Sequence, residues 1–158
     1  MIGKQLDDAI RNFVWNIVEI NSHLESIQKT WAELLGVSEP QWLILMAIDE
    51  LDSGTGVSGV DVSNKLRVHP AFVTTQTKSL EKVGLLTRIP SPTDARFVLM
   101  SLTPMARTEI SKLSSKRNAL NASVFAPLDA RTLTDLITKL DMIRKTSERA
   151  ARQLAADT

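Results

Sequence analysis

Apolar side chains recur at Leu6, Ile10, Phe13, Ile17, Ile20, Leu24, Ile27, Trp31 and Leu34, alternately four and three residues apart. That heptad spacing predicts one long N-terminal helix whose continuous seam seeks a helical partner. A second helix is expected from about Glu39 to Leu51, opened by Ser38 with Pro40 and Gln41 in its first turn and carrying Trp42, Leu45, Met46 and Ile48. Asp52 to Gly56 reads as a flexible link. Ser58 and Asp61 then have the spacing of an N-cap and a first-turn acid, starting a helix with Val62 and Leu66 on its apolar side.

A turn at Arg67 to His69 precedes Pro70, which fits the first position of a helix because its missing N–H would have no partner there. From Pro70 to Val83 the inward positions are Val73, Thr77 and Leu80, and Gly84 supplies the stop. Leu85 to Ile89 and Phe97 to Leu102 favour β structure, with Pro90, Ser91, Pro92, Thr93 and Asp94 between them. The prolines are expected to keep either strand from extending. Thr103 and Pro104 open a further helix bearing Ala106, Ile110, Leu113, Leu120 and Val124, which Pro127 ends. The last helix, from about Asp129 to Leu154, carries Leu133, Leu136, Leu140, Ile143, Ala150 and Leu154.

These elements predict a mainly α fold with a small β-hairpin wing: a winged helix-turn-helix core plus long N- and C-terminal dimerisation helices. Residues 1–35 form the N-terminal dimerisation helix, 36–103 the DNA-binding region and 104–158 the C-terminal dimerisation helices. In such a fold one helix enters the major groove of DNA and the hairpin meets the backbone or minor groove. The expected groove-facing set is His69, Pro70, Ala71, Phe72, Thr74, Thr75, Lys78 and Ser79, a polar, uncharged-to-basic face with little acid in it. Thr and Ser can bond phosphates or base edges, Lys neutralises phosphate, and Ala or Phe can touch a thymine methyl. An ordinary solvated helix face would have the same composition, and the helix alone does not choose.

Arg88 and Arg96 bracket the wing tip, so one hairpin is expected to hold two guanidinium groups at its exposed end, with Asp94 placed to orient Arg96. A plain turn residue beside a solubilising charge is the alternative reading. The terminal helices, with Leu6, Ile10, Phe13 and Ile17 at one end and Leu133, Leu136, Leu140 and Ile143 at the other, exceed what one DNA-binding module needs. They predict a homodimer, against the alternative of a monomeric bundle burying its own stripes. A symmetric dimer calls for an inverted-repeat operator with half-site centres about 10 base pairs apart.

The run Leu80 to Arg88, then Pro92-Thr93-Asp94-Ala95-Arg96, then Val98 to Thr103, closely resembles the MarR (multiple antibiotic resistance regulator) family of bacterial transcription factors. The resemblance spans nearly the whole chain. It implies that Pro70 to Lys82 is the recognition helix, that Arg96 reaches the minor groove and that Asp94 orients it, and it also implies a homodimer. Many relatives carry a basic residue where Thr75 stands and another arginine at Ala95. Regulators of this family are commonly released from DNA by small aromatic or phenolic acids, and by that resemblance Trp15, His23, Trp42 and Met46 are the pocket candidates. The alternative is a core, where tryptophan and methionine on amphipathic helices usually sit.

Among 158 residues there is no cysteine and only two histidines, His23 and His69, which excludes disulfides and thiolate zinc sites and disfavours a histidine metal site. No cofactor is expected. With no apolar run of membrane-spanning length and no basic-then-apolar leader, a cytoplasmic protein is expected. The net charge of +1 hides an asymmetry: residues 1–59 sum to −6, 60–100 to +3 and 101–158 to +4. A chain with such a distribution can orient itself on a duplex. No phosphate-cradling glycine loop, nucleophile triad or paired carboxylates appear, so an enzyme is not expected. The expected function is a sequence-specific double-stranded DNA-binding regulator, a homodimeric repressor relieved by a small aromatic or phenolic effector. The rival is a winged-helix protein-interaction module without DNA affinity, docking through Phe72 and the wing.

Overall fold

The computed structural model describes residues 2–157. In chain order the elements are α1 (Ile2–Leu35), α2 (Glu39–Leu51), β1 (Val57–Ser58), α3 (Gly59–Leu66), α4 (Pro70–Lys82), β2 (Leu86–Pro90), β3 (Val98–Leu102), α5 (Pro104–Val124) and α6 (Ala130–Ala156). No helix among the described residues is long and apolar enough to cross a membrane.

Local backbone chemistry sets the helix ends. Ser38 Oγ accepts the Gln41 N–H while the Gln41 side chain accepts the Ser38 N–H, a reciprocal cap that starts α2. Ser58 Oγ accepts the Asp61 N–H at 3.1 Å and starts α3. Helix α4 ends at Gly84, φ 77°, where the Leu85 N–H reaches back to the Leu80 carbonyl at 2.9 Å. The same closure ends α3, with Val68 bonding back to Ser63, but the left-handed residue there is Arg67, φ 55°. Ser63 Oγ donates to the Val68 carbonyl at 2.6 Å and fastens that turn from the side.

The sheet is antiparallel in the order β1-β3-β2. Two of its strands were legible as runs of β-favouring residues, whereas β1 is too short for such a signal and is defined by pairing Val57 with Met100 and Ser58 with Leu99. β2 stops at Pro90, as expected of a proline there, and includes it as its last residue, opposite Val98. An edge strand accommodates a residue without an N–H.

The segment from Asp52 to Gly56 is likewise not the flexible link the sequence suggested. Asp52 Oδ1 accepts the N–H groups of Gly54 at 2.8 Å and Gly56 at 2.9 Å, which folds the segment around one carboxylate. Burial works against the charge on Asp52, but these two donors, Ser101 and the nearby Arg107 outweigh it and hold its carboxyl below the ordinary aspartate value. Gly56 adopts φ 84° with its α-carbon so close to β3 that a Cβ would lie 3.0 Å from Leu99 Cβ. That approach is what lets β1 pair with β3.

The chain forms two compact units, one running to Leu113 and the other starting at Ser114. In the first, Trp42, Ile44, Leu45, Ile48, Val62, Val73 and Leu80 make the core, closed by Ala106 and Ile110 from the first turns of α5. This unit therefore continues past residue 103, where the sequence suggested a boundary. Trp31 and Ala32 are also buried, so the last turn of α1 belongs to the core and its apolar stripe is not one uniform seam. Further back, Leu6, Ile10, Phe13, Ile17, Ile20 and Leu24 remain 38–58% exposed. In the second unit, Asp129 caps α6 by accepting the Thr132 N–H at 2.7 Å, and α6 buries none of its residues.

Candidate nucleic-acid interface

Helix α4 buries Val73, Thr77 and Leu80, the inward trio that its spacing predicted. His69, Pro70, Ala71, Phe72, Thr74, Thr75, Lys78 and Ser79 are all exposed. Helical geometry puts Ala71, Thr75 and Lys78 along the middle of that surface, Phe72 and Ser79 on one flank and Thr74 on the other. Lys82, exposed one turn beyond Lys78, extends the middle row. It was missing from the expected set, and the i,i+4 spacing from Lys78 would have found it.

The polar groups on α4 are partly committed. Thr74 Oγ1 donates to the Pro70 carbonyl and Thr75 Oγ1 to the Ala71 carbonyl, each at 3.1 Å. His69 caps the helix, its Nδ1 accepting the Ala71 N–H at 3.1 Å, a structural duty that the sequence reading did not foresee. Gln41 Nε2 donates to Ser79 Oγ at 3.4 Å and ties the start of α2 to the flank of α4.

Between β2 and β3 the wing tip folds on its own backbone. The Ser91 N–H donates to the Phe97 carbonyl at 2.8 Å, and the Phe97 N–H to that of Asp94 at 3.0 Å. Asp94 then accepts Arg96 Nε at 3.0 Å and Nη2 at 2.7 Å, along with the Arg96 backbone N–H at 3.1 Å. The Arg96 side chain is nevertheless 86% exposed, so its planar fork is held in direction while facing solvent. The Arg96 guanidinium lowers the carboxyl pKa of Asp94, and Asp94 in turn raises that of Arg96.

Arg88 behaves differently from the expectation that placed it at the exposed tip. It stands in the middle of β2 opposite Met100, with its side chain only 15% exposed and its Nη1 3.5 Å from Glu81 Oε2. Strand alternation explains this, because Leu86 is buried and Arg88 lies two residues along on the same face of the sheet. Its Nε is enclosed and makes no hydrogen bond. Arg88 lines a groove of about 240 Å³ between α4 and the wing, together with Gly59, Thr74, Thr77, Arg96 and Phe97.

The four pocket candidates have different surroundings. Trp15 is 60% exposed and His23 is exposed on α1, while Met46 is half-buried on α2. Trp42 is fully buried and its Nε1 donates to Gln28 Oε1 at 2.7 Å, so it is a core residue that fastens α1 to α2. Three clefts of the head are lined by none of the four. Of the interface candidates, Leu6, Ile10, Phe13 and Ile17 are exposed on α1, while on α6 Leu136 and Ile143 are exposed and Leu133 and Leu140 half-buried. Among the described residues no cluster of three or more His, Asp or Glu is placed to hold a metal ion.

Residues 37–98 match the model of the MarR family. Over 139 residues the chain is 24% identical to an uncharacterized HTH-type transcriptional regulator, YdgJ, of Bacillus subtilis (strain 168), an alignment covering 84% of this chain and 83% of that one. Its structure is similar to that of MepR in the S. aureus MepR–DNA complex, with a TM-score of 0.72 at 13% identity over 85% of this chain and 95% of the other. It is also similar to CouR from Rhodococcus jostii RHA1 bound to p-coumaroyl-CoA, with a TM-score of 0.72 at 17% identity over 83% and 90% of the two chains. The matched stretch runs from just before α2 to the first residue of β3 and so contains both the exposed face of α4 and the Asp94–Arg96 tip. Over residues 37–98 the chain is thus similar to the MarR family in sequence, and its fold is that of MarR-family structures.

Proposed function

We propose that the protein is a homodimeric, sequence-specific regulator of transcription that binds double-stranded DNA as a repressor and is released by a small aromatic or phenolic effector. The observation that carries the proposal is the pairing of an exposed α4 face, polar with Lys78 and Lys82 in its middle row, with an exposed Arg96 whose fork Asp94 holds in one direction. A groove-entering helix and an oriented guanidinium are the two parts that reading a duplex requires. The description of YdgJ as a transcriptional regulator and the DNA bound to MepR support this reading. The ligand on CouR supports an effector, and the residues that would hold one here are Trp15, His23 and Met46.

A second copy is the natural cover for the exposed stripe of α1, with Leu136 and Ile143 of α6 contributing. Residues 1–35 and 104–158 would then provide dimerisation and residues 36–103 the reading head, with two heads meeting an inverted repeat one helical turn apart. The test is to titrate the full chain against fragments of its source genome at two salt concentrations. Binding that selects particular fragments and weakens steeply with salt supports the proposal, since displaced counterions make phosphate contacts salt-dependent. Indifference to every duplex at low salt overturns it. That outcome would favour the protein-docking alternative, for which Phe72, 39% exposed beside an apolar cleft lined by Pro40, Leu43, Leu66 and Val68, is the motivating feature.

A further inference from the structure

The chemistry left available on α4 is narrower than its residue types suggest. In a groove-entering helix the first two turns approach base edges most closely, and here their middle row is Ala71 and Thr75. Ala71 offers a methyl group. Thr75 has donated its hydroxyl hydrogen to the Ala71 carbonyl, and Thr74 on the flank has donated its own to Pro70. Each threonine therefore presents a methyl and an oxygen that can only accept. Phe72 adds a 39% exposed ring edge on the other flank. Donors lie towards the ends of the face, on the His69 ring beyond its capping nitrogen at one end and on Lys78, Ser79 and Lys82 at the other.

Guanine displays two acceptors in the major groove, and a surface of methyls and acceptors has nothing to offer them. Cytosine has a donor, but always beside those two acceptors of its partner. Thymine presents a C5-methyl, and adenine a donor next to an acceptor, so an A·T pair suits this surface in both halves. We infer that Ala71, Phe72, Thr74 and Thr75 read thymine methyl groups and that the centre of each half-site is A·T-rich, with any guanine contact displaced towards Lys78. This deepens the proposed function and rests on its DNA-binding reading.

The experiment starts from duplexes that the full chain selects out of a random pool at low salt. Each thymine of a selected duplex is then replaced singly by uracil, which removes only the methyl, and affinity is measured by fluorescence anisotropy. A loss of about fourfold is expected for each contacted methyl, the worth of burying one such group. Replacing guanines of the same segment by 7-deazaguanine is expected to change nothing. Thr75→Ser keeps the hydroxyl and removes its methyl, so the variant should fold normally, bind more weakly and lose sensitivity to uracil at one position. Tight, salt-sensitive binding that ignores every uracil, or a selected guanine at the half-site centre, overturns the inference while leaving the DNA-binding reading intact. Failure to retain any duplex overturns both.

Discussion

Ile17→Asp asks whether the stripe on α1 is a joint between two copies. Ile17 keeps 40% of its surface exposed, and Leu6, Ile10, Phe13, Ile20 and Leu24 keep 38–58% of theirs. Full burial of such a side chain is worth about 1.5–3 kcal/mol, so covering the remaining half yields roughly 1 kcal/mol at each of these six positions. Two-fold symmetry counts every position twice, giving a gain of about 12 kcal/mol, the same order as the freedom lost on association. Aspartate at position 17 forfeits that contribution and places a carboxylate without a partner in the joint, a cost of several kcal/mol per copy. Counted twice, the penalty is at least about 6 kcal/mol, a weakening of dimerisation by more than roughly 10⁴-fold. Sedimentation equilibrium at micromolar protein should report one copy for Ile17→Asp, with the far-ultraviolet circular dichroism showing that the head remains folded. Glu19→Lys, on a different face of the same helix, should keep the mass of two. A folded Ile17→Asp protein with the mass of two copies, or a wild-type mass of one, refutes the reasoning.

Arg96→Ala should weaken operator binding by roughly 10- to 100-fold without changing the oligomeric mass, and Asp94→Ala, which frees the fork but keeps its charge, should weaken it less; equal loss in a gel-shift titration would mean that orientation contributes nothing. Gly56→Ala should lower stability by about 2 kcal/mol or more, because a left-handed backbone disfavours a Cβ and β3 crowds it; an unchanged urea midpoint would count against the close approach. Asp52 has a folded pKa below its ordinary value of 3.8. Its contribution is therefore complete above that value and is lost as pH falls through the lower folded value, so the wild-type melting temperature should drop between about pH 5 and pH 3 more steeply than that of Asp52→Asn. Parallel profiles for the two proteins would remove the pinned turn from the account.

What the sequence made legible was whatever a period or a cap encodes. The inward trio of α4, the caps at Ser38 and Ser58, the start of the last helix near Asp129 and the stop at Gly84 all follow from local rules and are found where those rules put them. The Asp94–Arg96 pair was legible for the same reason, since two residues of separation suffice to form it. The misreadings concern what lies across the fold. Arg88 looked like a second tip arginine because its charge suggests solvent, whereas strand alternation turns it towards α4 and Glu81. Trp42 suited a pocket as well as a core until Gln28, fourteen residues earlier on another helix, was seen to take its indole N–H. The link at Asp52 looked loose because glycines permit motion, yet one buried carboxylate collects their N–H groups and removes it.

These cross-fold contacts constrain how an effector could act. Trp42 and Gln28 join α2 to α1, and Gln41 and Ser79 join α2 to α4, so the groove-facing helix is linked to α1 through α2 by two side-chain hydrogen bonds and the core around them. Breaking the first would strand a buried indole N–H at a cost of about 1–3 kcal/mol. The last turns of α1 therefore travel with the head. In a dimer joined along α1, a change in the distance between two heads has to be absorbed beyond that anchor, where residues 3–26 are all exposed. Turning a population from mostly bound to mostly released takes a preference of about 10⁴-fold for the released spacing. A ligand buried beside Trp42 would share its surroundings in both spacings and gain no such preference. One lodged against Trp15 or His23, on the exposed stretch of α1, would feel the change directly and would gain that preference.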